Sequence, residues 1–245
     1  MINYSQRLYN SDVAILKQYG KRYKLQLHKS LRNSGIEVEE KRGRIKGEYV
    51  NGEKLEESII RTRSKIFELA ICNKWELFVT LTLNKCKYDR MNLKRYRVDL
   101  AQFIRNYNRK HGINVRYLLI PEMHKDKAWH MHGFIMGLPL EHLKKNENGY
   151  MDWFAYREKF GYISIDKIRN REAAACYIRK YISKNLGDCV KEVGAHMYYC
   201  SRGLKRAKEI KRGVLRVRDA SWDYENEWVK IKWFDGQIDP DKIIS

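Results

Sequence analysis

The sequence lacks a cysteine pattern that would hold a structural metal. Its five cysteines are scattered, and no two of them form a Cys-x-x-Cys pair. Structural zinc sites use four closely spaced Cys and His ligands, so this class of site is not expected. An odd number of cysteines without paired spacing is typical of free thiols in a reducing compartment. We therefore expect a cytoplasmic protein.

Membrane and motor signatures are also missing. No apolar run approaches the eighteen residues of a membrane helix, and no basic amphipathic anchor is visible. The first residues, MINYSQRLYN, lack the charged and then apolar pattern of a secretory signal. The phosphate-binding pattern G-x-x-x-x-G-K-[ST] does not occur either, so no ATPase or helicase motor is expected. The sequence predicts no membrane partner.

What the sequence has in excess is positive charge. It contains 50 Lys and Arg against 30 Asp and Glu, a formal net charge of +20. Near the C-terminus, Ser201 to Arg218 carries eight basic residues and one acidic residue. Phosphate contacts dominate nucleic-acid affinity because they release counterions, so such an excess favours a nucleic-acid partner.

Three segments can be distinguished. Residues 1–53 are basic and rich in tyrosine and are predicted to be an appendage, and residues 188–245 form a basic C-terminal region. Between them, residues 54–187 show helix, strand, helix, three strands and a helix in order. The predicted strands are ELFVTLTLN (76–84), VRYLLIPEMH (115–124), WHMHGFIM (129–136) and GYISIDKI (161–168). This order predicts an α+β domain with an antiparallel sheet and helices packed on one face.

Two histidines in the third strand are candidate metal ligands. Side chains alternate along a strand, so His130 and His132 project from the same face. Glu122, on the partner strand of the predicted hairpin, is a third candidate, and His124 lies on the same face two residues later. Two imidazoles and a carboxylate suit a divalent ion such as Mg²⁺ or Mn²⁺ and leave coordination positions open for a substrate oxygen.

The last predicted helix carries a repeated Tyr-x-x-Lys pattern, YIRKYISK. At about 100° per residue, Tyr177, Lys180, Tyr181 and Lys184 fall within one stripe. Tyrosines beside a core are usually packing residues, which is the alternative here. A phenol can also be a covalent nucleophile, and a nearby ammonium stabilises the charge that develops on a phosphoryl group.

Together these motifs resemble the HUH endonuclease superfamily, in particular the rolling-circle replication initiators of single-stranded DNA bacteriophages and related plasmids. FVTLTLN resembles the first motif of the family, HMHG its His-hydrophobic-His metal motif, and YIRKYISK its two-tyrosine catalytic motif. RSKIFELAICNKWELFVTLTL and YYCSRGLK are similar to the flanking pattern of the phage initiators. The resemblance covers roughly residues 60–205.

The resemblance implies a nickase that also rejoins strands. A Mg²⁺ or Mn²⁺ ion held by His130, His132 and either Glu122 or His124 would polarise the scissile phosphate. Tyr177 or Tyr181 would attack it, leaving a 5′-phosphotyrosine and a free 3′-hydroxyl for a polymerase, and the second tyrosine would act in a later step.

The same resemblance implies that Lys180 and Lys184 neutralise charge near the phosphate. Thr80 and Thr82 of the TLT strand are interpreted as strand residues without a catalytic role. The expected partners are single-stranded DNA at a replication origin, a host polymerase and a host helicase.

Three alternatives stand beside this interpretation. A single-strand transposase of the same superfamily usually has one catalytic tyrosine, and a relaxase tends to carry its tyrosine near the N-terminus. A non-catalytic DNA-binding protein would bind without metal and would tolerate the loss of both tyrosines.

Overall fold

The computed structural model describes residues 7–9, 13–28, 32–34, 52–178, 196–216, 221–226 and 229–245. The predicted catalytic residues Lys180, Tyr181 and Lys184 lie outside this set. The chain forms two compact units, one comprising Tyr49–Lys205 and the other comprising Met1–Glu48 together with Arg206–Ser245.

In chain order, the strands are β1 (Arg7–Tyr9), β2 (Val13–Tyr19), β3 (Arg22–His28), β4 (Arg32–Ser34), β5 (Leu77–Thr82), β6 (Arg116–Met123), β7 (Trp129–Met136), β8 (Lys144–Lys145), β9 (Met151–Asp152), β10 (Ile163–Lys167), β11 (Tyr199–Cys200), β12 (Lys208–Val214), β13 (Tyr224–Glu225) and β14 (Val229–Asp235). The helices are α1 (Gly52–Cys72), α2 (Leu93–His111), α3 (Phe154–Lys159), α4 (described over 171–178) and α5 (Pro240–Ile243), with a 3₁₀ turn at Leu140–His142.

The unit Tyr49–Lys205 is built on a five-stranded antiparallel sheet. Its strand order is β10-β5-β7-β6-β11. The predicted hairpin of β6 and β7 forms with a regular register that places Glu122 opposite His130. The α+β class with an antiparallel sheet is therefore confirmed. The predicted end of α2 is confirmed as well, because Gly112 follows the helix in the left-handed conformation, with φ of 63°.

Helices cover both faces of this sheet, whereas the sequence predicted helices on one face. On one face, α2 and α3 pack against residues such as Leu81 and Met131. On the other face, α1 and α4 pack against residues such as Ile120 and Phe134. The physical reason is that β6 and β7 carry apolar side chains on both sides, and each apolar side needs a covering layer.

The second unit is assembled from both ends of the chain. Its main sheet has the strand order β12-β2-β3-β14-β13, so strands from the N-terminal end are flanked on both sides by strands from the C-terminal end. The core contains Ala14, Leu16 and Leu25 together with Ile244 from the C-terminal end. The sequence analysis treats 1–53 and 188–245 as separate appendages, but the pairing of β2 with β12 and of β3 with β14 joins them. A pairing between such distant segments leaves no local sequence signal.

Within the described residues, no helix combines the length and the apolar character that crossing a bilayer requires.

Candidate active site

The two histidines of the HxH motif are each held by a threonine of the neighbouring strand. The register of β5 and β7 places Thr80 opposite His132 and Thr82 opposite His130. Thr80 Oγ1 lies 3.1 Å from His132 Nδ1, and Thr82 Oγ1 lies 3.0 Å from His130 Nδ1. Such a contact at one ring nitrogen fixes the orientation of an imidazole and leaves its Nε2 edge as the ligand atom.

Both candidates for the third metal ligand lie next to the histidine pair. Glu122 Oε2 is 2.6 Å from His132 Nε2, and both side chains are largely buried. The ring of His124 instead stacks on the ring of His130, with centroids 4.3 Å apart and planes 24° apart. The carboxylate of Glu122 therefore faces a ring nitrogen, whereas His124 contacts its neighbour ring against ring.

The environment of the histidines favours their neutral form. Burial lowers the pKa of His130, and the neighbouring His124 and His132 lower it further. Burial also lowers the pKa of His132, although the adjacent carboxylate of Glu122 opposes this effect. Neutral imidazole is the form that binds metal ions, so the site is prepared for a cation at neutral pH.

The donor chemistry fits a divalent cation, although the ligands are not preassembled. In the described part of the chain, no three His, Cys, Asp or Glu side chains are arranged as a complete metal-binding group. Two neighbouring ligands of an octahedral ion lie about 3 Å apart when each bond is about 2.1 Å long. The 2.6 Å contact between Glu122 and His132 would therefore open by only a few tenths of an ångström to admit such an ion.

The helix α4 carries Tyr177 onto the sheet face that bears the histidines. The ring of Tyr177 meets the ring of Phe78 edge to face, with centroids 5.5 Å apart. Phe78 is two residues before Thr80 in β5, so both project from the same face. Buried Ala175 and Ile178 anchor the helix, while Tyr177 remains 46% exposed.

Sequence reasoning missed the role of the threonines and left the role of one glycine open. Thr80 and Thr82 contact the histidine rings directly, a role that their spacing of two, matching that of the histidines, could have suggested. The sequence allowed Gly133 either to admit a substrate backbone or to relieve crowding. A Cβ atom at Gly133 would lie 2.0 Å from the carbonyl oxygen of Leu118, so its absence is needed for the close approach of β6 and β7.

Comparison with known protein families gives one match. Residues 76–186 match the sequence model of a family described as replication-associated protein ORF2. The matched segment contains the HxH strand, the Thr-x-Thr strand and the Tyr-x-x-Lys repeat, and it covers somewhat less than half of the chain. Neither the curated proteins nor the solved structures contain a significant match. Residues 76–186 are thus a domain of the replication-associated protein ORF2 family, a family of rolling-circle replication initiators.

Proposed function

We propose that this protein is a metal-dependent DNA nickase and strand transferase that starts rolling-circle replication through a tyrosine nucleophile. The observation that carries the proposal is the placement of Tyr177. Its helix packs on the sheet face that bears His130 and His132, and its ring stands over Phe78, next to the threonine that contacts His132. A nucleophile and a candidate metal site thus share one surface.

The chemistry is a transesterification at phosphorus. The phenol oxygen of Tyr177 or Tyr181 forms a bond to the scissile phosphorus, and the bond from phosphorus to the 3′ oxygen breaks. The phenol loses its proton and the leaving 3′ oxygen gains one, which gives a 5′-phosphotyrosine and a 3′-hydroxyl. The phosphodiester energy is retained in the new ester, so the second tyrosine can take part in a later transfer that closes the displaced strand into a circle.

His130, His132 and Glu122 are the residues that would hold a Mg²⁺ or Mn²⁺ ion. Such an ion supplies Lewis-acid polarisation of a phosphate oxygen. The contact between Glu122 and His132 supports Glu122 rather than His124 as the third ligand, because it already joins a carboxylate to a ligand nitrogen. Thr80 and Thr82 orient the two rings from the opposite ring nitrogens.

Lys180 and Lys184 would neutralise charge that builds on the scissile phosphate. Their spacing of three residues from Tyr177 and Tyr181 supports this role. Because the sequence contains no phosphate-binding motor motif, unwinding would fall to a host helicase and extension of the 3′-hydroxyl to a host polymerase in the cytoplasm. The doubled tyrosine and the family match support replication over transposition or conjugative transfer.

A covalent trapping experiment tests the proposal. A pool of single-stranded oligonucleotides with a randomised central stretch is incubated with the protein and Mn²⁺, and adducts are separated on a denaturing gel. Wild type is expected to form adducts. The Tyr177→Phe/Tyr181→Phe double variant and an EDTA sample are expected to form none. The single variants identify which phenol attacks first.

Matched controls separate chemistry from folding. Tyr150→Phe removes the hydroxyl of a tyrosine that is 72% exposed and is expected to leave adduct formation unchanged. Glu122→Gln keeps the side-chain shape, removes the charge and is expected to abolish most of the adduct. If wild type bound the oligonucleotides tightly but formed no adduct with any of them, the protein would be a DNA-binding protein without nickase activity.

A further inference from the structure

An open groove of about 540 Å³ lies at the end of the central sheet away from the histidines. It is formed where β5 and α4 begin and where β7 and β10 end. Its lining residues are Trp75, Glu76, Leu77, Gly137, Leu138, Pro139, Leu140, Lys167, Ile168 and Arg171. The volume is in the usual range of small-ligand sites, roughly 300–1,000 Å³. The groove belongs entirely to the unit Tyr49–Lys205.

The lining combines the three chemistries that a nucleotide presents. Lys167 and Arg171 are exposed cations, which suit a phosphate. Leu140 is 50% exposed and lies beside Pro139, so the groove offers an apolar surface to the face of a base. Glu76 accepts a hydrogen bond from the Gly137 N–H at 2.9 Å, which holds its carboxylate at the groove, where it can accept from the amino group of a base.

The groove is connected to the candidate active site through two shared elements. Leu77 begins β5 three residues before Thr80, which is about 10 Å along the strand. Arg171 lies six residues before Tyr177 in α4, which is about 9 Å along the helix. At a rise of about 3.4 Å per nucleotide in one strand, this distance corresponds to roughly two or three nucleotides.

We infer that this groove is a subsite of the nickase for one nucleotide of the origin strand, roughly two or three positions from the scissile phosphate. Lys167 and Arg171 bind its phosphate, and Leu140 and Glu76 contact its base. The groove thereby contributes to the choice of the sequence that is cut. This inference rests on the proposed nickase function, and it adds a sequence-reading role to residues outside the HxH and tyrosine motifs.

The strands that become covalently attached to the protein test the inference. Adducts formed from the randomised pool by wild type, by Leu140→Ala and by Glu76→Gln are sequenced and aligned on the cleaved phosphate. Wild type is expected to show a base preference two or three positions away. Both variants are expected to lose that preference and to keep the preferences next to the cleaved phosphate. Unchanged preferences in both variants would overturn the inference.

A binding measurement tests the cationic part without requiring cleavage. The affinity for fluorescent oligothymidylate is measured for Lys167→Ala/Arg171→Ala and for the control pair Arg109→Ala/Lys110→Ala, which removes two basic residues from the end of α2. The groove pair is expected to weaken binding about tenfold, and the control pair no more than about twofold. Equal effects of the two pairs would overturn the phosphate contact.

The two experiments separate the inference from the function on which it rests. If wild type forms no adduct, the nickase proposal fails, and the oligothymidylate measurement still decides whether the groove binds a DNA strand. If wild type forms adducts with unchanged preferences in the variants, the nickase proposal stands and the subsite is wrong.

Discussion

At the residue scale, the threonine hydroxyls that contact the histidine rings can be removed almost without changing side-chain shape. Thr82→Val deletes the Oγ1 atom that lies 3.0 Å from His130 Nδ1. Groups that orient a metal-binding histidine typically contribute about 10- to 100-fold to metal affinity. We expect Mn²⁺ binding, measured by isothermal titration calorimetry, to weaken by this factor. Thr82→Ser keeps the hydroxyl and is expected to bind like wild type; equal affinities of the Val and wild-type proteins would contradict the orienting role.

Gly133 is a second residue with a measurable role. Its missing Cβ makes room for the backbone of β6, since that atom would lie 2.0 Å from Leu118 O and 2.9 Å from Leu119 Cα. Gly133→Ala forces the strands apart, and we expect the free energy of unfolding to fall by about 3 kcal/mol, the upper range for overpacking. Gly112→Ala, at a left-handed position with open space around it, is the comparison and is expected to cost only about 1 kcal/mol.

Urea unfolding of the two glycine variants checks this order. A larger loss for Gly112→Ala than for Gly133→Ala would show that backbone conformation, and not strand approach, is the stronger constraint.

At the element scale, α2 and α3 are joined beneath the sheet by a pair of buried phenols. The hydroxyls of Tyr96 and Tyr156 lie 2.7 Å apart, and both side chains are fully buried. Burial raises the pKa of both phenols, so they stay neutral. Tyr156→Phe leaves the Tyr96 hydroxyl buried without this partner, which costs about 1–3 kcal/mol.

Adding Tyr96→Phe to the first variant removes the orphaned group, so the double variant is expected to be no less stable than either single variant. A double-mutant cycle from urea unfolding measures this coupling. Additive losses would show that the two hydroxyls do not depend on each other. Adduct formation should be unchanged in all three variants, because these tyrosines lie in the core on the face opposite to the histidines.

The elements with strong local patterns could be predicted from the sequence, and the contacts between them could not. The strand period of two was enough to place His130 and His132 on one face, and β7 has the predicted bounds. The partners of the histidines depend on register, since Thr82 and His130 are 48 residues apart. No local pattern sets that register. The covering of both sheet faces was missed for the same reason, because it follows from how the helices return to the sheet.

At the scale of the whole molecule, the positive charge predicts a strong dependence of DNA binding on salt. Each phosphate neutralised on a single strand lowers the slope of log affinity against log salt by about 0.7. With about five phosphates neutralised, affinity falls about 100-fold between roughly 50 and 200 mM salt. Fluorescence anisotropy with oligothymidylate measures the slope. A methylphosphonate strand without backbone charge is the control, and a charged strand that shows the same flat response would contradict electrostatic binding.

The unit built from both chain ends makes the N-terminal strands dependent on the C-terminal ones. Deleting 206–245 removes β12 and β14, which flank β2 and β3 in the sheet. It also removes Ile244, which completes the core around Leu16 and Leu25. An isolated two-stranded hairpin is marginally stable at best, so the remaining strands are expected to lose their structure.

Hydrogen exchange followed by mass spectrometry tests this dependence. In the deletion variant, amides of 13–28 are expected to exchange as fast as those of an unfolded chain, whereas amides of β5 and β7 keep their protection. The second part follows because the central sheet and both of its helical layers lie within Tyr49–Lys205. Protection that persists in 13–28 would show that the N-terminal strands fold without the C-terminal ones. Protection lost throughout would show that the family domain depends on the unit formed by the termini.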